Sequence, residues 1–308
     1  MTDLYLSVVF MLGLCLAAIA SGAHVARRYR GRILLIVQCA TALAIFAYFR
    51  CFWERPLLVH VIPLPSIIVL GNWLPLIGCF CVGMCVGTPT VLLWRRTALC
   101  GITCGLAAWS LISPIPGDPP LCLPLKPGRA LQFQTSDISC SPAAAASLLR
   151  LHGIPASETE MSRLCLTRDG GTRWLGVYRG LVLKTQGTGW MVEAEDLQKV
   201  LAESGPGAVP GVLALSFVSN RETQTLAAGF QQNAGHSVVL LEYTSDGALS
   251  VFDPSPEFGF ERWRSGFLRD IRRGILLRLV PEDPNHPPDF DAEIAVRREY
   301  AGRQIVAR

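Results

Sequence analysis

Charged residues are scarce in this 308-residue chain, and the scarcity is confined to its first third. Only 17% of all residues are charged, whereas soluble globular chains carry about 25%. Residues 1–114 hold eight arginines, Asp3, Glu54 and no lysine, against 42 charged residues in 115–308. With 50% apolar residues, the composition excludes a wholly disordered chain and a pair of ordinary soluble domains. It predicts that the first third lies in a membrane.

The positive net charge of the chain belongs to this apolar region. The net charge is +6 in residues 1–114 and −2 in residues 115–308. The pI of about 8.5 therefore does not indicate a nucleic-acid surface, and no nucleic-acid partner is expected.

Long apolar stretches predict about four membrane spans. Crossing the hydrocarbon layer takes roughly 20 apolar residues. Leu4 to Ala23, Ile33 to Phe52 and Pro75 to Trp94 meet that length, and Ala98 to Pro114 is a shorter fourth candidate. The run from Leu57 to Leu70 is broken by two prolines and favours an interfacial or re-entrant segment. Residues 1–114 are thus predicted to be a transmembrane anchor with the lipid bilayer as a partner.

Arginines between the spans predict the orientation of the chain. With four spans, the loop from Arg27 to Arg32 and the pair Arg95–Arg96 lie on one side, and loops rich in Arg face the cytoplasm. The C-terminal part would then be extracytoplasmic, on a multi-pass protein of the cytoplasmic membrane. A fifth span at 57–70 would place it in the cytosol, which the charge rule disfavours.

Proline-rich segments delimit a second domain. Residues 115–128 are expected to be a linker, 129–280 a compact domain and 281–308 a charged, proline-rich tail. Helical patterns come first and strand patterns follow, which predicts an α+β domain with an antiparallel sheet. The predicted helices cover 139–151, 157–166, 172–183 and 194–204, and the predicted strands cover 211–218, 237–243, 249–252 and 274–280.

Most of the eleven cysteines lie in or beside the predicted spans. A metal site there is a weak hypothesis, because no His or carboxylate accompanies the thiols; its residues would be Cys79, Cys81, Cys85, Cys100 and Cys104. In the soluble part there are two alternatives: Cys122 and Cys165 form a disulfide, or they are two unpaired thiols.

Three residues of the soluble part suggest nucleophilic catalysis. Cys140 begins the alanine-rich helix, where backbone N–H groups and the helix dipole lower the pKa of a thiol. His236 precedes an apolar strand, and Asp253 ends the next strand. A hairpin turning at Asp246-Gly247 would bring these strands together. A thiolate, its proton partner and a group that orients the imidazole are the parts of a cysteine hydrolase.

Several ordered motifs resemble the C39 family of papain-like cysteine peptidases. The segment from Gln134 to Ala144 places a glutamine six residues before a helix-opening cysteine. Gly171-Thr172, Gly235 to Leu240, Val251 to Ser255 and the segment 258–268 are also similar to the family's motifs. The resemblance covers about residues 130 to 280.

The resemblance implies a papain-like fold and a role for each candidate residue. Cys140 would be the nucleophile, His236 the general base and acid, and Asp253 the group that orients His236. Gln134, with the backbone N–H of Cys140, would bind the oxyanion; Gln132 is the weaker candidate. A peptide or protein substrate is implied, processed during export, with no metal or organic cofactor.

Two departures from the family pattern leave alternatives open. The nucleophile lies in Ser139-Cys140-Ser141, whereas exporter-linked members usually have Asp-Cys-Gly there. The phosphate-binding pattern G-x-x-x-x-G-K-[ST] is absent from the chain, so any exporter would be a separate membrane partner. A non-catalytic C39-like peptide-binding domain and transglutaminase-like or amidase-like acyl transfer are the rival functions.

Overall fold

The structure of the protein is a computed structural model that describes residues 1–88, 92–123, 129–203, 207–217, 235–269, 271–283, 285 and 306–307. The chain divides into two units, Met1–Pro116 and Gly117–Arg308. The N-terminal unit is helical, with α1 Thr2–Arg28, α2 Arg32–Cys51, α3 Leu57–Val61, α4 Ile67–Leu70, α5 Leu74–Gly87 and α6 Leu93–Ile112.

Three N-terminal segments are long and apolar enough to cross a membrane. They are Thr2–Arg28, Arg32–Cys51 and Ile67–Gly87. The third includes α4 and α5, so it starts earlier than the expected span from Pro75 to Trp94. It also ends earlier, at Gly87, and Trp94 belongs to α6. The segment from Leu57 to Leu70 forms two short helices, and the second of them belongs to this third span.

Most of the expected fourth span, Ala98 to Pro114, lies in α6, which is not one of these three segments. This helix has 20 residues, a sufficient length, but Arg95 and Arg96 in its first turn lower its hydropathy. The number of spans beyond three therefore stays a prediction.

Glycines allow the first and third candidate spans to pack closely. A Cβ atom at Gly22 of α1 would overlap the carbonyl oxygen of Phe80, and one at Gly83 of α5 would overlap that of Ile19. Small residues at such crossings let helix backbones touch, which is the main source of packing energy where lipid is as apolar as the side chains.

The C-terminal unit is an α+β domain with helices first and a sheet after them. Its helices are α7 Cys140–Leu151, α8 Glu158–Leu164, α9 Trp174–Thr185, α10 Leu197–Glu203 and α11 Ser265–Leu268. Its strands are β1 Trp190–Asp196, β2 Gly207–Phe217, β3 Gly235–Tyr243, β4 Leu249–Asp253, β5 Gly259–Trp263, β6 Ile271–Pro281 and β7 Val306–Ala307.

Six of the strands form an antiparallel sheet in the order β1-β6-β2-β3-β4-β5, and β7 adds a short parallel pairing to β5. Helix α7 packs against β2 and β3. Its residues from Ser141 to Leu149 are all buried. The small side chains of alanines 143–146 let the helix axis lie close to the sheet. The expected antiparallel α+β class is confirmed.

One predicted helix is wrong in its first part. The pattern over 194–204 favoured a helix, but the residues up to Asp196 belong to β1, and the helix begins only at Leu197. Strand β1 carries several acidic residues and lacks a clear alternation. Its position depends on pairing with β6, where Arg278 forms ion pairs with Glu193 and Glu195. Such a long-range contact leaves no local pattern in the sequence.

The eleven cysteines are free thiols. Cys122 and Cys165 therefore do not form the disulfide that was one of the two alternatives. Cys122 lies against the hydroxyl of Ser162 at 3.5 Å, and Cys165 is buried where α8 meets α9. Among the described residues, no group of three or more His, Cys, Asp or Glu side chains could hold a metal ion. Most of the predicted tail, 281–308, lies outside the described residues.

Candidate active site

Cys140 is the first residue of α7, and a serine turn defines that helix start. The hydroxyl of Ser139, the residue before the helix, donates to the carbonyl oxygen of Ser136 at 2.7 Å and accepts the N–H of Ser136 at 3.1 Å. Ser139 is fully buried, so packing inside the domain holds this turn in place. The thiol of Cys140 consequently lies at the positive end of a 12-residue helix.

The predicted hairpin is present and brings His236 next to Asp253. Strands β3 and β4 pair around a turn in which Gly247 has a positive φ of 79°. The Nε2 atom of His236 lies 2.8 Å from Oδ2 of Asp253. The other carboxylate oxygen, Oδ1, accepts the backbone N–H of Ser255 at 2.8 Å. The exposed fractions of the two side chains are 7% and 1%, so this hydrogen bond is shielded from water.

Cys140 and His236 stabilise each other's charged forms. Burial alone would raise the pKa of the thiol, but the positive charge and hydrogen bond of His236 outweigh it and lower that pKa. The backbone N–H of Ser237 and the hydroxyl of Ser141 act in the same direction. Burial would lower the pKa of His236, but the Cys140 charge and the hydrogen bond that His236 donates to Asp253 raise it to about 10.

The arrangement therefore favours a thiolate paired with an imidazolium over the neutral pair. Because Nε2 of His236 is held by Asp253, Nδ1 is the ring nitrogen that remains for the thiol. The charges alternate in sign from Cys140 through His236 to Asp253. A pair of this kind titrates as a unit, between a lowered thiol pKa and a raised imidazole pKa.

Gln134 lies beside the loop that follows Asp253. Its backbone N–H donates to the carbonyl oxygen of Pro254 at 2.7 Å, and its side-chain Nε2 donates to the carbonyl oxygen of Ser136 at 3.1 Å. An amide nitrogen has two hydrogens, so the second one is left for another acceptor. The buried Oε1 atom has no hydrogen-bond partner within the described part of the chain. Gln132 is held elsewhere, with its backbone N–H on the hydroxyl of Ser147.

Two charged side chains that the sequence did not single out, one of them buried, support the Gln134 segment. Both carboxylate oxygens of Glu158 accept hydrogen bonds from Thr135, at 2.9 Å from its N–H and 2.8 Å from its hydroxyl. Arg150 of α7 donates to the carbonyl oxygens of Ala130 and Ala156 at 2.7 and 2.8 Å. These contacts anchor the segment on both sides of Gln134. No local sequence signal marks Glu158, because its partner lies 23 residues away.

Ser141 and Ser237 are the other site residues that the sequence did not assign. Their hydroxyl oxygens lie 2.8 Å apart in the protein interior, and Oγ of Ser141 lies 3.9 Å from Sγ of Cys140. The departure from Asp-Cys-Gly drew attention to Ser141, but nothing in the local pattern indicates that Ser237 is its partner. Among the described residues, the other buried histidine is His152, which lies apart from these groups, on the Leu148 carbonyl oxygen and the Trp190 ring.

Comparison with known proteins identifies the class of this domain. Residues 129–267 match the Peptidase C39-like family. The chain therefore carries a C39-like peptidase domain that follows apolar N-terminal helices.

Solved structures of peptidase domains also match. The peptidase domain of Streptococcus ComA, a bifunctional ABC transporter involved in quorum sensing, is 19% identical over 49% of this chain and 97% of its own length, with a TM-score of 0.37. The Streptococcus mutans ComA peptidase domain is 18% identical over 49% and 99%, with a TM-score of 0.33. A double glycine motif protease from an AMS/PCAT transporter, in complex with its leader peptide, is 18% identical over 53% and 99%, with a TM-score of 0.35. No curated protein sequence matches significantly.

Removing the charge of Asp253 should weaken the thiolate. In Asp253→Asn, His236 loses the carboxylate that stabilises its positive charge, so the imidazolium supports the thiolate less. We expect the pKa of the Cys140 thiol to rise by about one unit, which leaves about tenfold less thiolate on the acid side of the profile. The measurement is the rate of Cys140 alkylation by iodoacetamide from about pH 5 to about pH 9, with the modified peptide identified by mass spectrometry.

The matched control for this change is Asp246→Asn. Asp246 is an exposed aspartate on the same hairpin, ion-paired with Arg262, and its loss should leave the Cys140 profile unchanged. Equal profiles for wild type and Asp253→Asn would show that the carboxylate does not support the thiolate. Cys122 and Cys165 should react little near neutral pH, because burial raises the pKa of both thiols, that of Cys165 to about 12.

Proposed function

We propose that the C39-like domain hydrolyses peptide bonds, with Cys140 as the nucleophile. The observation that carries the proposal is the arrangement of Cys140 at a helix start beside His236, whose ring is hydrogen-bonded to the buried carboxylate of Asp253. A structural cysteine at a helix start needs no such partner, and a structural histidine needs no buried carboxylate. A peptide-binding domain without catalysis would gain nothing from holding these charges in its interior.

The proposed reaction begins with attack of the Cys140 sulfur on the carbonyl carbon of the scissile bond. The oxyanion that forms accepts hydrogen bonds from the backbone N–H of Cys140 and from the free amide hydrogen of Gln134. His236 then transfers its proton to the leaving nitrogen, the C–N bond breaks, and a thioester remains on Cys140.

Hydrolysis of the thioester reverses these roles. Neutral His236 accepts a proton from a water molecule, whose oxygen attacks the thioester carbon. Breakage of the C–S bond releases the carboxylic acid and restores the thiolate beside the imidazolium. Asp253 holds the ring through Nε2 in both halves of the reaction, so Nδ1 carries every proton transfer.

The proposed substrate is a peptide or protein processed at the membrane. The apolar helices of the N-terminal unit would hold the domain at the bilayer, where exported chains pass. The double glycine motif protease among the similar structures was solved with its leader peptide, so a leader with that motif is the first candidate to test. Delivery of the substrate would require a separate exporter or membrane partner.

We further propose that α6 provides a fourth span and that the peptidase domain is extracytoplasmic. The arginine-rich loop from Arg27 to Arg32 would face the cytoplasm together with Arg95 and Arg96 at the start of α6. One crossing by α6 then carries the chain to the opposite side.

Loss of the nucleophile should abolish hydrolysis. The full-length protein in detergent is incubated with a degenerate peptide library that includes double-glycine leaders, and new termini are identified by mass spectrometry. We expect cleavage by the wild type and none by Cys140→Ala. Cys122→Ala is the matched control, since that thiol contacts Ser162 and lies outside the proposed site.

Other results would favour the rival functions. Cleavage that survives Cys140→Ala would contradict the proposed nucleophile. Peptides that bind the wild type without being cut would indicate a binding domain. Transfer of the acyl group to added amines without hydrolysis would indicate an acyltransferase.

Gln134 should contribute to the transition state and Gln132 should not. With a peptide that the wild type cleaves, Gln134→Ala should lower kcat by about 100-fold, because one of two oxyanion donors is lost. KM should change little, since the ground-state carbonyl interacts weakly with these donors. Gln132→Ala is the matched control two residues away, with kcat near that of wild type. Equal losses in both variants would refute a specific role for Gln134.

Introduced cysteines can locate the two sides of the membrane. Asp118→Cys lies in the C-terminal unit, and Arg30→Cys lies in the loop between α1 and α2; both positions are exposed. A membrane-impermeant maleimide should label Asp118→Cys in intact cells and Arg30→Cys only after permeabilisation. The reverse pattern would place the peptidase domain in the cytoplasm, and labelling of both in intact cells would exclude the four-span topology.

A further inference from the structure

A pair of buried serines connects the two halves of the proposed catalytic site. Ser141 directly follows Cys140 on α7, and Ser237 directly follows His236 on β3. Their hydroxyl oxygens lie 2.8 Å apart, although 96 residues separate them in the chain. Their exposed fractions are 3% and 2%. One hydrogen bond therefore joins the helix of the nucleophile to the strand of the base, one residue from each.

The hydroxyl of Ser141 also reaches the nucleophile. Its Oγ atom lies 3.9 Å from Sγ of Cys140, within hydrogen-bonding range for the large sulfur atom. A serine hydroxyl has one hydrogen and two acceptor sites. If Ser237 donates to Ser141, the hydrogen of Ser141 is free to point at sulfur. The opposite direction would direct that hydrogen away from the nucleophile.

We propose that Ser237 donates to Ser141 and that Ser141 in turn donates to the Cys140 thiolate, so that the serine pair stabilises the nucleophile and sets its distance from His236. This inference rests on the proposed function, because it assigns the pair to the same thiolate. It makes Ser141 a stabilising residue and Ser237 a positioning residue that acts through it.

The charges around the thiol favour this direction of donation. His236 on β3 is the charged group that acts on the sulfur directly, and Asp253 on β4 acts through His236. Arg150, the basic side chain of α7, is held by Ala130 and Ala156 at the other end of the helix. A negative sulfur attracts the hydroxyl hydrogen of Ser141, and the lone pairs of the Ser141 oxygen then accept from Ser237.

The test is the pH dependence of Cys140 alkylation by iodoacetamide in the full-length protein. Removing the Ser141 hydroxyl in Ser141→Ala should raise the pKa of the thiol by about 0.5 to 1 unit, equal to about threefold to tenfold slower alkylation on the acid side. Ser237→Ala should shift the profile in the same direction by a smaller amount. The double variant should shift it no further than Ser141→Ala does, because both changes interrupt one chain of hydrogen bonds.

Two further variants separate this role from a purely structural one. Ser141→Thr retains the hydroxyl and should restore the wild-type profile. Ser162→Ala removes a fully buried hydroxyl from α8 and should lower the thermal midpoint without moving the profile. If Ser141→Ala lowers the thermal midpoint and leaves the pH profile of Cys140 alkylation unchanged, the serine pair only stabilises the fold and the proposal is refuted.

The same measurement distinguishes failure of this inference from failure of the proposed function. A wild-type Cys140 that titrates like an ordinary thiol, with a pKa of about 8.5, would overturn the proposed peptidase and the inference with it. A low wild-type pKa that is equal in Ser141→Ala would overturn the serine role alone. Additive shifts in the double variant would contradict a single chain of hydrogen bonds.

Discussion

The hydrogen bond between His236 and Asp253 is the interaction on which the site depends. Without it, the imidazolium of His236 would lose one of the two partners that stabilise its charge, and it would support the Cys140 thiolate less. Burial of an isolated charge costs several kcal/mol, and a partner of opposite sign must offset that cost. Asp253 is itself nearly inaccessible, so its charge needs both His236 and the N–H of Ser255. A thiolate at Cys140 is thus the end of a series of mutually dependent charges.

The packing of α7 determines where this series can form. A helix with larger side chains would lie farther from the sheet, and Cys140 would be too distant from the start of β3. The alanines 143–146 remove that obstacle, and the Ser139 turn fixes the residue at which the helix begins. The four alanines let the helix lie close to the sheet. The distance between helix and sheet in turn sets the separation of the Cys140 sulfur and the His236 imidazole.

The parts of the structure that follow local rules could be predicted from the sequence, and the parts that depend on distant contacts could not. The helix start at Cys140, the hairpin turn at Gly247 and the first two candidate spans each have a local pattern of capping, turn or hydropathy. Strand β1 was mistaken in part for a helix because its place depends on Arg278, a residue more than 80 positions away. The positions of Cys140, His236 and Asp253 at the ends of predicted elements suggest their proposed roles, whereas the role proposed for Gln134 comes from the family resemblance alone.

A serine after the nucleophile has a different physical consequence from the glycine that is usual in exporter-linked members of the family. A glycine there adds no polar group, whereas the hydroxyl of Ser141 is buried. A buried hydroxyl without a hydrogen bond would cost about 1 to 3 kcal/mol of folding free energy, so this one needs a partner. Ser237 meets that requirement from the adjacent strand. Each serine alone would destabilise the interior, so the two are coupled. The serine at position 141 is therefore explained by Ser237, the residue after His236, and not by α7, the helix on which Ser141 lies.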